Sequence, residues 1–329
     1  MTTILGKEVG PIGYGLLNLT HPARGIPEEQ SIASMKQALD SGANFWDGGE
    51  HYGTPDRNSL HLLRNYFARF PNDASKIVLS IKGCLKPDFT PDGTPEGVRR
   101  SVETCLRVLD GKKKIDLFEC SRVDRNVPIE TTVQALSDLV KEGKIGGISL
   151  SEVSAKTIRR AAKIHKICAV EVEVSLFSDH VLSEGIAEAC AEYDIPIIAY
   201  SPVGRGFLAG QWKSVKDIPQ GDTRLMFPRF SPENFDNNLK LVQAVQQIAD
   251  KKGITTAQLA INWVRQLSQR KGYPVFIPIP GASTEGRVVE NSEVIDLTAE
   301  ELSDIDSILA SFETAGARYP ERFMDQLNG

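Results

Sequence analysis

Residues 115–150 contain a strand-like run, IDLFEC at 115–120, then a predicted helix at 128–142, and then a second run, IGGISL at 145–150. The two short runs are apolar enough for buried strands, and the stretch between them has the spacing of an amphipathic helix. Two neighbouring strands that are joined through a helix lie parallel, because the helix returns the chain to the edge where the first strand began. This unit therefore predicts a parallel sheet covered by helices.

The same alternation continues along the whole chain. Further strands are predicted at 11–17, 43–47, 77–82, 169–176, 195–200 and 274–279. Further helices are predicted at 27–41, 57–69, 94–109, 154–165, 182–193 and 255–267. Eight strands, each followed by a helix, predict an α/β fold, the (β/α)8 TIM barrel, with the helices outside and long loops at the C-terminal face. We expect residues 1–329 to form one such domain, since these barrels commonly reach about 250 residues or more.

The alternative fold is an open, doubly wound sheet, which would place a glycine-rich phosphate loop after its first strand. The segment Gly13–Asn18 does not have the G-x-G-x-x-G pattern. The segment Gly204–Ala209 does fit G-x-G-x-x-A, but it follows the seventh strand and lacks a clear partner acid on a following strand. The barrel is therefore preferred, although Gly204 and Gly206 could still let the backbone approach a phosphate.

The composition is that of a globular protein. Of 329 residues, 41% are hydrophobic and 25% are charged, and the formal net charge of -5 argues against nucleic acid as a main partner. Five scattered cysteines predict a reducing compartment rather than a disulfide framework or a zinc site. The sequence shows no leader-like start and no run of about 18 apolar residues, so we expect a cytoplasmic protein without membrane partners. It does not indicate the oligomeric state.

Three chemically active residues follow consecutive predicted strands. Asp47 ends the strand at 43–47, Tyr52 lies five residues later, and Lys82 ends the strand at 77–82. An ammonium near a phenol favours the phenolate, and a carboxylate keeps a partly buried lysine charged. Each residue taken alone has an ordinary structural explanation. Because all three meet the same edge of a parallel sheet, the set predicts a tyrosine that acts as an acid, with Lys82 lowering its pKa.

Two segments are too long for plain connections. The stretch Pro202–Pro232 is rich in glycine, proline and arginine and is predicted to be an active-site loop over the barrel mouth. The stretch Thr314–Gly329 is a second candidate for a lid over the substrate, its alternative being an untidy terminus.

The run DGGEHYG at 47–53 resembles the signature of the aldo-keto reductases, which are (β/α)8 barrels that reduce carbonyls with NADPH and need no metal. Lys82, the run 197–204 and the run 279–291 resemble further family motifs, so the likeness covers nearly the whole chain. Within the family, the chain is most similar to fungal pyridoxal reductases. The resemblance implies reduction of pyridoxal to pyridoxine. The competing interpretation is a cofactor-binding regulatory subunit, because potassium-channel β subunits share the fold.

The resemblance also implies roles for individual residues. Tyr52 would protonate the carbonyl oxygen, and Lys82 with Asp47 would tune its acidity. Ser151, Glu152 and Glu171 would hold the carboxamide of NADPH, and Tyr200 would stack on its nicotinamide ring. Arg287, in the first turns of the last predicted helix, would meet the 2′-phosphate, and Asn291 the adenine. The remaining positions assigned to the cofactor are Ser201, Pro202, Gly204, Gly206 and Ser283.

Several positions depart from the family pattern. Ser121 replaces the histidine of strand four; it is a candidate catalytic residue that can donate to a carbonyl but cannot carry a positive charge. Glu171 replaces a glutamine and is expected to accept from the carboxamide without donating. Gly48 and Gly49 are expected to leave room beside Tyr52. The 281–283 segment lacks the family's lysine, which predicts weaker discrimination against NADH.

Overall fold

The computed structural model describes residues 2–329 and contains one sheet of eight parallel strands. In chain order these are β1 (Tyr14–Gly15), β2 (Phe45–Gly49), β3 (Val78–Gly83), β4 (Ile115–Cys120), β5 (Ile145–Ser151), β6 (Ile167–Glu173), β7 (Ile197–Tyr200) and β8 (Phe276–Pro278). Each strand pairs with the next one in the sequence, so the order never reverses as it would in a doubly wound sheet. The backbone N–H of Gly13 donates to the Pro278 carbonyl at 2.9 Å and joins the first strand to the last. The predicted barrel is confirmed.

Ten helices of seven residues or more follow the strands among residues 2–329. They are α1 (Glu28–Asp40), α2 (Ser59–Arg69), α3 (Pro95–Leu109), α4 (Ile129–Lys141), α5 (Ala155–Ala162), α6 (Ile186–Glu192), α7 (Pro232–Lys252), α8 (Thr256–Gln266), α9 (Glu285–Ser292) and α10 (Ala299–Ser311). Two single-turn helices, Leu17–Thr20 and Glu321–Met324, stand outside this series. Within this described part of the chain, no helix has the length and apolar character that crossing a bilayer requires.

Helix α7 was not predicted, although its ends carry ordinary signals. Pro232 occupies the first helical turn and Gly253 terminates the helix with a φ of 75°. The sequence interpretation used Pro232 only to end the preceding loop. That loop is itself less irregular than predicted, since it contains four short 3-10 segments, Gly204–Ala209, Val215–Asp217, Thr223–Met226 and Pro228–Phe230. Helix α10 was also missed, so the helix that contains Arg287 is not the last one.

A hairpin at the start of the chain closes the bottom of the barrel. Its antiparallel strands, Thr2–Ile4 and Lys7–Val9, were not predicted. Apolar side chains of the hairpin and of the barrel form one buried cluster: Ile4, Val9, Phe45, Val78, Leu117, Ala169, Ile198, Ile277 and Ile279. The N-terminal half of the barrel interior is therefore an apolar core.

The interior becomes polar toward the C-terminal ends of the strands. Side chains two positions apart on a strand share a face. The positions two residues after Phe45, Leu117, Ala169 and Ile198 are Asp47, Glu119, Glu171 and Tyr200. These ionisable groups thus lie directly above the apolar layer, at the end of the barrel where enzymes of this fold carry their sites.

Candidate active site

The side chains of Asp47, Tyr52 and Lys82 meet at the barrel mouth. Lys82 Nζ lies 2.7 Å from Asp47 Oδ1, and the Tyr52 hydroxyl donates to Asp47 Oδ2 at 3.2 Å. Asp47 and Lys82 are only 3% and 6% exposed. Asp47 therefore links the lysine to the phenol through its two oxygens.

Lys82 has two further carboxylate partners that the sequence interpretation did not give it. Its Nζ lies 2.7 Å from Glu119 Oε1 and 2.5 Å from Glu171 Oε2. Of these three carboxylates, Asp47 accepts a hydrogen bond from Lys82, whereas Glu119 Oε1 and Glu171 Oε2 lie at ion-pair distance without one. Lys82 therefore acts on Tyr52 through Asp47 and through its charge. Glu171, assigned to the carboxamide from the resemblance, lies within ion-pair distance of Lys82 through Oε2.

The cluster keeps Lys82 charged. Burial alone lowers the pKa of Lys82, but Asp47, Glu119 and Glu171 together raise that pKa well above its usual value. Burial raises the pKa of Glu171 well above its usual value, with Asp47 adding to the rise and Lys82 opposing it. The carboxyl groups thus stabilise the charge of Lys82, whereas burial and the neighbouring Asp47 disfavour the charge of Glu171.

The predicted lowering of the Tyr52 pKa by Lys82 is outweighed in this structure. Burial and the charge of Asp47 raise the pKa of Tyr52 well above 10, while Lys82 acts in the opposite direction. The phenol is therefore held in its protonated form. The glycines beside it do not leave free space either. A Cβ on Gly49 would lie 2.9 Å from the Tyr52 ring, and one on Gly48 would lie 3.1 Å from the Ile81 side chain.

Ser121 lies directly after β4 and is buried. Its hydroxyl donates to the Gly83 carbonyl at 2.9 Å. Because a hydroxyl has one hydrogen, Ser121 in this arrangement offers a ligand only an acceptor. The expectation that it donates to a carbonyl does not fit this geometry, whereas a ligand hydroxyl could donate to it.

The residues assigned to the carboxamide and the nicotinamide ring lie on neighbouring strand ends. Glu152 Oε1 accepts from the Tyr200 hydroxyl at 2.7 Å and from Arg318 Nη2 at 2.7 Å. Ser151 Oγ and Glu152 Oε2 are buried and have no hydrogen-bond partner within residues 2–329. Buried polar atoms are normally paired, so these two fit a ligand that supplies a polar group such as an amide.

The C-terminal segment Thr314–Gly329 is ordered against the same residues. The Tyr319 hydroxyl lies 3.0 Å from the Tyr200 hydroxyl, and Arg318 contacts both Glu152 and Glu173. Arg205, Arg229 and Arg318 outweigh the effect of burial and lower the pKa of Glu173 to about 2. These charges fasten the segment to the barrel, which is the placement expected of a lid rather than of an untidy terminus.

The loop after β7 contains several residues with positive φ, a conformation that lets the backbone come close to a ligand. Ser201, Gly204 and Gly206 have φ values of 52°, 54° and 95°, and Pro202 between them is buried. Arg205 stacks between Phe227 and Tyr319, with its guanidinium carbon 4.3 and 4.6 Å from the two ring centres. The loop is therefore packed against the C-terminal segment.

The segment assigned to the adenosine phosphate surrounds the start of α9. The Ser283 carbonyl accepts from Gln30 Nε2 at 2.6 Å, and Asn291 Oδ1 is buried without a partner within residues 2–329. Arg287 is 46% exposed, and its Nη1 lies 2.9 Å from Glu290 Oε1. Asn291 thus fits an adenine contact, whereas Arg287 must exchange an existing ion pair for a phosphate.

Sequence interpretation missed Glu119 and Glu173, which organise the two charged clusters. The signal was present, since each is an acidic residue at or near the C-terminal end of a buried strand. The register of the sheet gives the missing step, because Lys82 and Glu119 are paired positions on β3 and β4.

The fold and this site define a class of protein. The sequence profile of the aldo/keto reductase family matches residues 11–310, and the chain belongs to this family. Its members are oxidoreductases that act on small carbonyl compounds with NAD(P)H. Ser151, Glu152 and Asn291, with their unpaired buried atoms, fit such a cofactor.

Two named proteins and one solved structure are similar to this chain over nearly its whole length. A Schizosaccharomyces pombe protein named "Probable pyridoxal reductase 2" is 40% identical over 338 aligned residues, which cover 100% of both chains. A second protein of that organism, the NADP+-dependent aldo-keto reductase yakc, is 35% identical over 97% of this chain and 94% of its own. The solved structure of a glycerol dehydrogenase from Gluconobacter oxydans matches with a TM-score of 0.82 and 24% identity, covering 96% of each chain. At that identity the structural match supports the fold alone.

Proposed function

We propose that this protein is an NADPH-dependent reductase that converts pyridoxal to pyridoxine. The observation that carries the proposal is the Tyr52–Asp47–Lys82 contact at the barrel mouth, because a protonated phenol held by a charged pair is a proton donor for a carbonyl oxygen. The choice of substrate is supported by the name of the Schizosaccharomyces pombe relative, which matches over its full length.

The reaction needs one hydride and one proton. Bound NADPH supplies the hydride to the carbonyl carbon. Tyr52 gives its phenolic proton to the carbonyl oxygen, and its phenolate later regains a proton from solvent. Aldehyde, NADPH and one proton thus give alcohol and NADP+. Lys82 offsets the charge left on Tyr52, Asp47 holds Lys82 in place, and the apolar layer below them keeps water out of the barrel interior.

Ser121 supports a substrate that carries its own donors. Pyridoxal has a phenolic hydroxyl and a hydroxymethyl group beside its aldehyde, and either one can donate to Ser121 Oγ. A serine also occupies less of the pocket than the family's imidazole. Because neighbouring side chains already occupy the space beside Gly48 and Gly49, the additional width of the pocket comes from Ser121 alone.

We expect the purified protein to consume NADPH steadily when pyridoxal is added. Ser121→His should raise the KM for pyridoxal more than the KM for a small aliphatic aldehyde, because the added ring takes space that only the larger substrate uses. NADPH absorbance measured with both aldehydes, for wild type and variant, tests this.

Three results decide the assignment. Equal penalties for both aldehydes would remove the support that Ser121 gives to pyridoxal. A wild type that reduces other aldehydes but not pyridoxal would retain the reductase and lose the substrate. Tight NADPH binding without turnover of any aldehyde would favour the regulatory alternative.

We expect Arg287→Ala to weaken NADPH binding by about 10-fold and to leave NADH binding nearly unchanged. A charged hydrogen bond contributes about 1.5–3 kcal/mol. We expect the lower end of this range for Arg287, because its side chain is exposed and must give up its ion pair with Glu290 to bind the phosphate. Fluorescence titration with both cofactors measures the two constants. Glu290→Gln is the matched control, because loss of the ion pair frees Arg287 and should tighten NADPH binding. Equal losses of NADPH and NADH binding in Arg287→Ala would disprove the phosphate contact.

A further inference from the structure

The cluster around Lys82 has more acidic than basic groups. Asp47, Glu119 and Glu171 lie within ion-pair distance of one ammonium, and their side chains are 4%, 0% and 2% exposed. One oxygen of each carboxyl group lies within 4.8 Å of the others. In residues 2–329, no second basic side chain comes within ion-pair distance of these three carboxyl groups. If all were ionised, the buried cluster would carry two uncompensated negative charges.

A buried, uncompensated carboxylate is unstable relative to its protonated form. Removal of charge from water costs several kcal/mol per ion, and the group takes up a proton instead. When carboxylates share a site, one of them retains a proton to a much higher pH than usual. Asp47 is the member best stabilised as an anion, because it accepts from both Lys82 and Tyr52. The retained proton therefore belongs to Glu119 or Glu171.

The hydrogen bonds of Ser149 locate that proton. Ser149 Oγ lies 2.7 Å from Glu119 Oε2 and 3.1 Å from the Ala169 carbonyl oxygen. A hydroxyl has one hydrogen, so Ser149 cannot donate to an ionised Glu119 and to Ala169 together. If Glu119 Oε2 carries a proton, Glu119 donates to Ser149 and Ser149 donates to Ala169, while Glu119 Oε1 stays within ion-pair distance of Lys82 Nζ. Both contacts of the Ser149 hydroxyl are then satisfied.

We propose that Glu119 is a neutral carboxylic acid in the working protein and that its proton sets the charge beneath Tyr52. Glu119 is a positioning residue, since it is fully buried and acts on Tyr52 through its charge beside Lys82. With the proton in place, the cluster holds Asp47 and Glu171 as anions beside the Lys82 cation. Burial raises the pKa values of both Glu119 and Glu171, so the hydrogen bonds of Ser149, and not these shifts, assign the proton to Glu119.

The charge of Glu119 affects the acidity of Tyr52. Loss of its proton adds a negative charge near the phenol, which makes the phenolate costlier and the phenol a weaker acid. Turnover should therefore fall as the pH rises through the pKa of Glu119. The groups that face Glu119 from the neighbouring strands are Lys82, Asp47 and Glu171, with Ser149 on β5, and Lys82 is the cation among them.

The first experiment needs no turnover and does not depend on the proposed function. Infrared spectra at neutral pH, where exposed carboxyl groups are ionised, should show the C=O stretch of a protonated carboxyl group in the wild type. Glu119→Gln should remove the band, and Ser149→Ala should shift it, because the acid loses its acceptor. A wild type without the band, or a band that survives in Glu119→Gln, overturns the proposal. Ser149→Ala keeps the test available if Glu119→Gln does not fold.

The second experiment rests on the proposed function. Glutamine at 119 mimics the neutral acid, with its amide group donating to Ser149 and its oxygen beside Lys82, so the alkaline fall in turnover should move to higher pH in Glu119→Gln. Its melting temperature should stay near that of the wild type, whereas Glu171→Gln, which removes an anion paired with Lys82, should lower it. An unchanged pH profile in Glu119→Gln contradicts the link to Tyr52. Failure of pyridoxal reduction with the infrared band present would count against the function alone.

Discussion

We expect Tyr52→Phe to lower turnover by about 10²–10⁴-fold, which is the range that a positioned general acid contributes. Phenylalanine keeps the ring that packs on Gly49 and removes only the hydroxyl that donates to Asp47. NADPH binding should therefore be retained, and the loss should fall on the chemical step. Single-turnover kinetics with a fixed aldehyde measure that step directly.

Tyr66→Phe is the matched control for this change. Tyr66 is another buried tyrosine whose hydroxyl donates to a carboxylate, Asp73 at 3.0 Å, but it lies on α2 without contact to the cluster. Its loss should reduce stability without changing turnover. If Tyr52→Phe turns over at nearly the wild-type rate when chemistry limits, another group supplies the proton.

The second large effect concerns stability. We expect Lys82→Met to lower the free energy of unfolding by about 3–5 kcal/mol at neutral pH, because it removes the cation that compensates a buried cluster of carboxyl groups. Lys82 lowers the pKa values of Glu119 and Glu171 in the wild type, so its loss raises them further. The folded variant then binds more protons than the unfolded chain between the usual carboxyl pKa, about 4.3, and the raised values.

The sign of the pH dependence follows from this difference in bound protons. The stability of Lys82→Met should fall as the pH rises through that window and recover toward mildly acidic pH. Urea unfolding at several pH values measures it. Adding Glu171→Gln should restore part of the loss, since it removes one uncompensated anion. A stability deficit that is the same at every pH would show that Lys82 contributes by packing rather than by charge.

The fold was predictable because its signals are local. Each strand is a short apolar run and each early helix has an amphipathic pattern, so the order of elements from β1 to β8 followed from sequence. Helix α7 was not predicted because Pro232 fits both the end of a loop and the start of a helix. Only a helix that begins there accounts for Gly253 at its C-terminal end. The N-terminal hairpin was missed because two three-residue strands give too short a pattern for periodicity.

From the sequence, site residues could be assigned to the ends of individual strands, but the contacts between strands could not be predicted. The ends of β2 and β3 identified Asp47 and Lys82, because parallel strands end at one edge. The three partners of Lys82 depend on the register of four strands around a closed barrel, which no local pattern contains. The contact of Arg318 with Glu152 joins positions 166 residues apart and needs the folded C-terminal segment.

The hairpin at the bottom of the barrel gives this protein two ends that can be engineered separately. The side chains of Ile4 and Val9 belong to an apolar cluster that contains none of Asp47, Lys82, Glu119 and Glu171, and Tyr200 of the mouth packs against its upper side. Stabilising substitutions in that cluster would leave the loops at the mouth unchanged. A barrel of higher thermal stability tolerates the destabilising loop changes that new specificities usually bring. A library that alters the aldehyde accepted is best built on such a thermostabilised variant, with diversity confined to the loop after β7 and to the segment from Thr314.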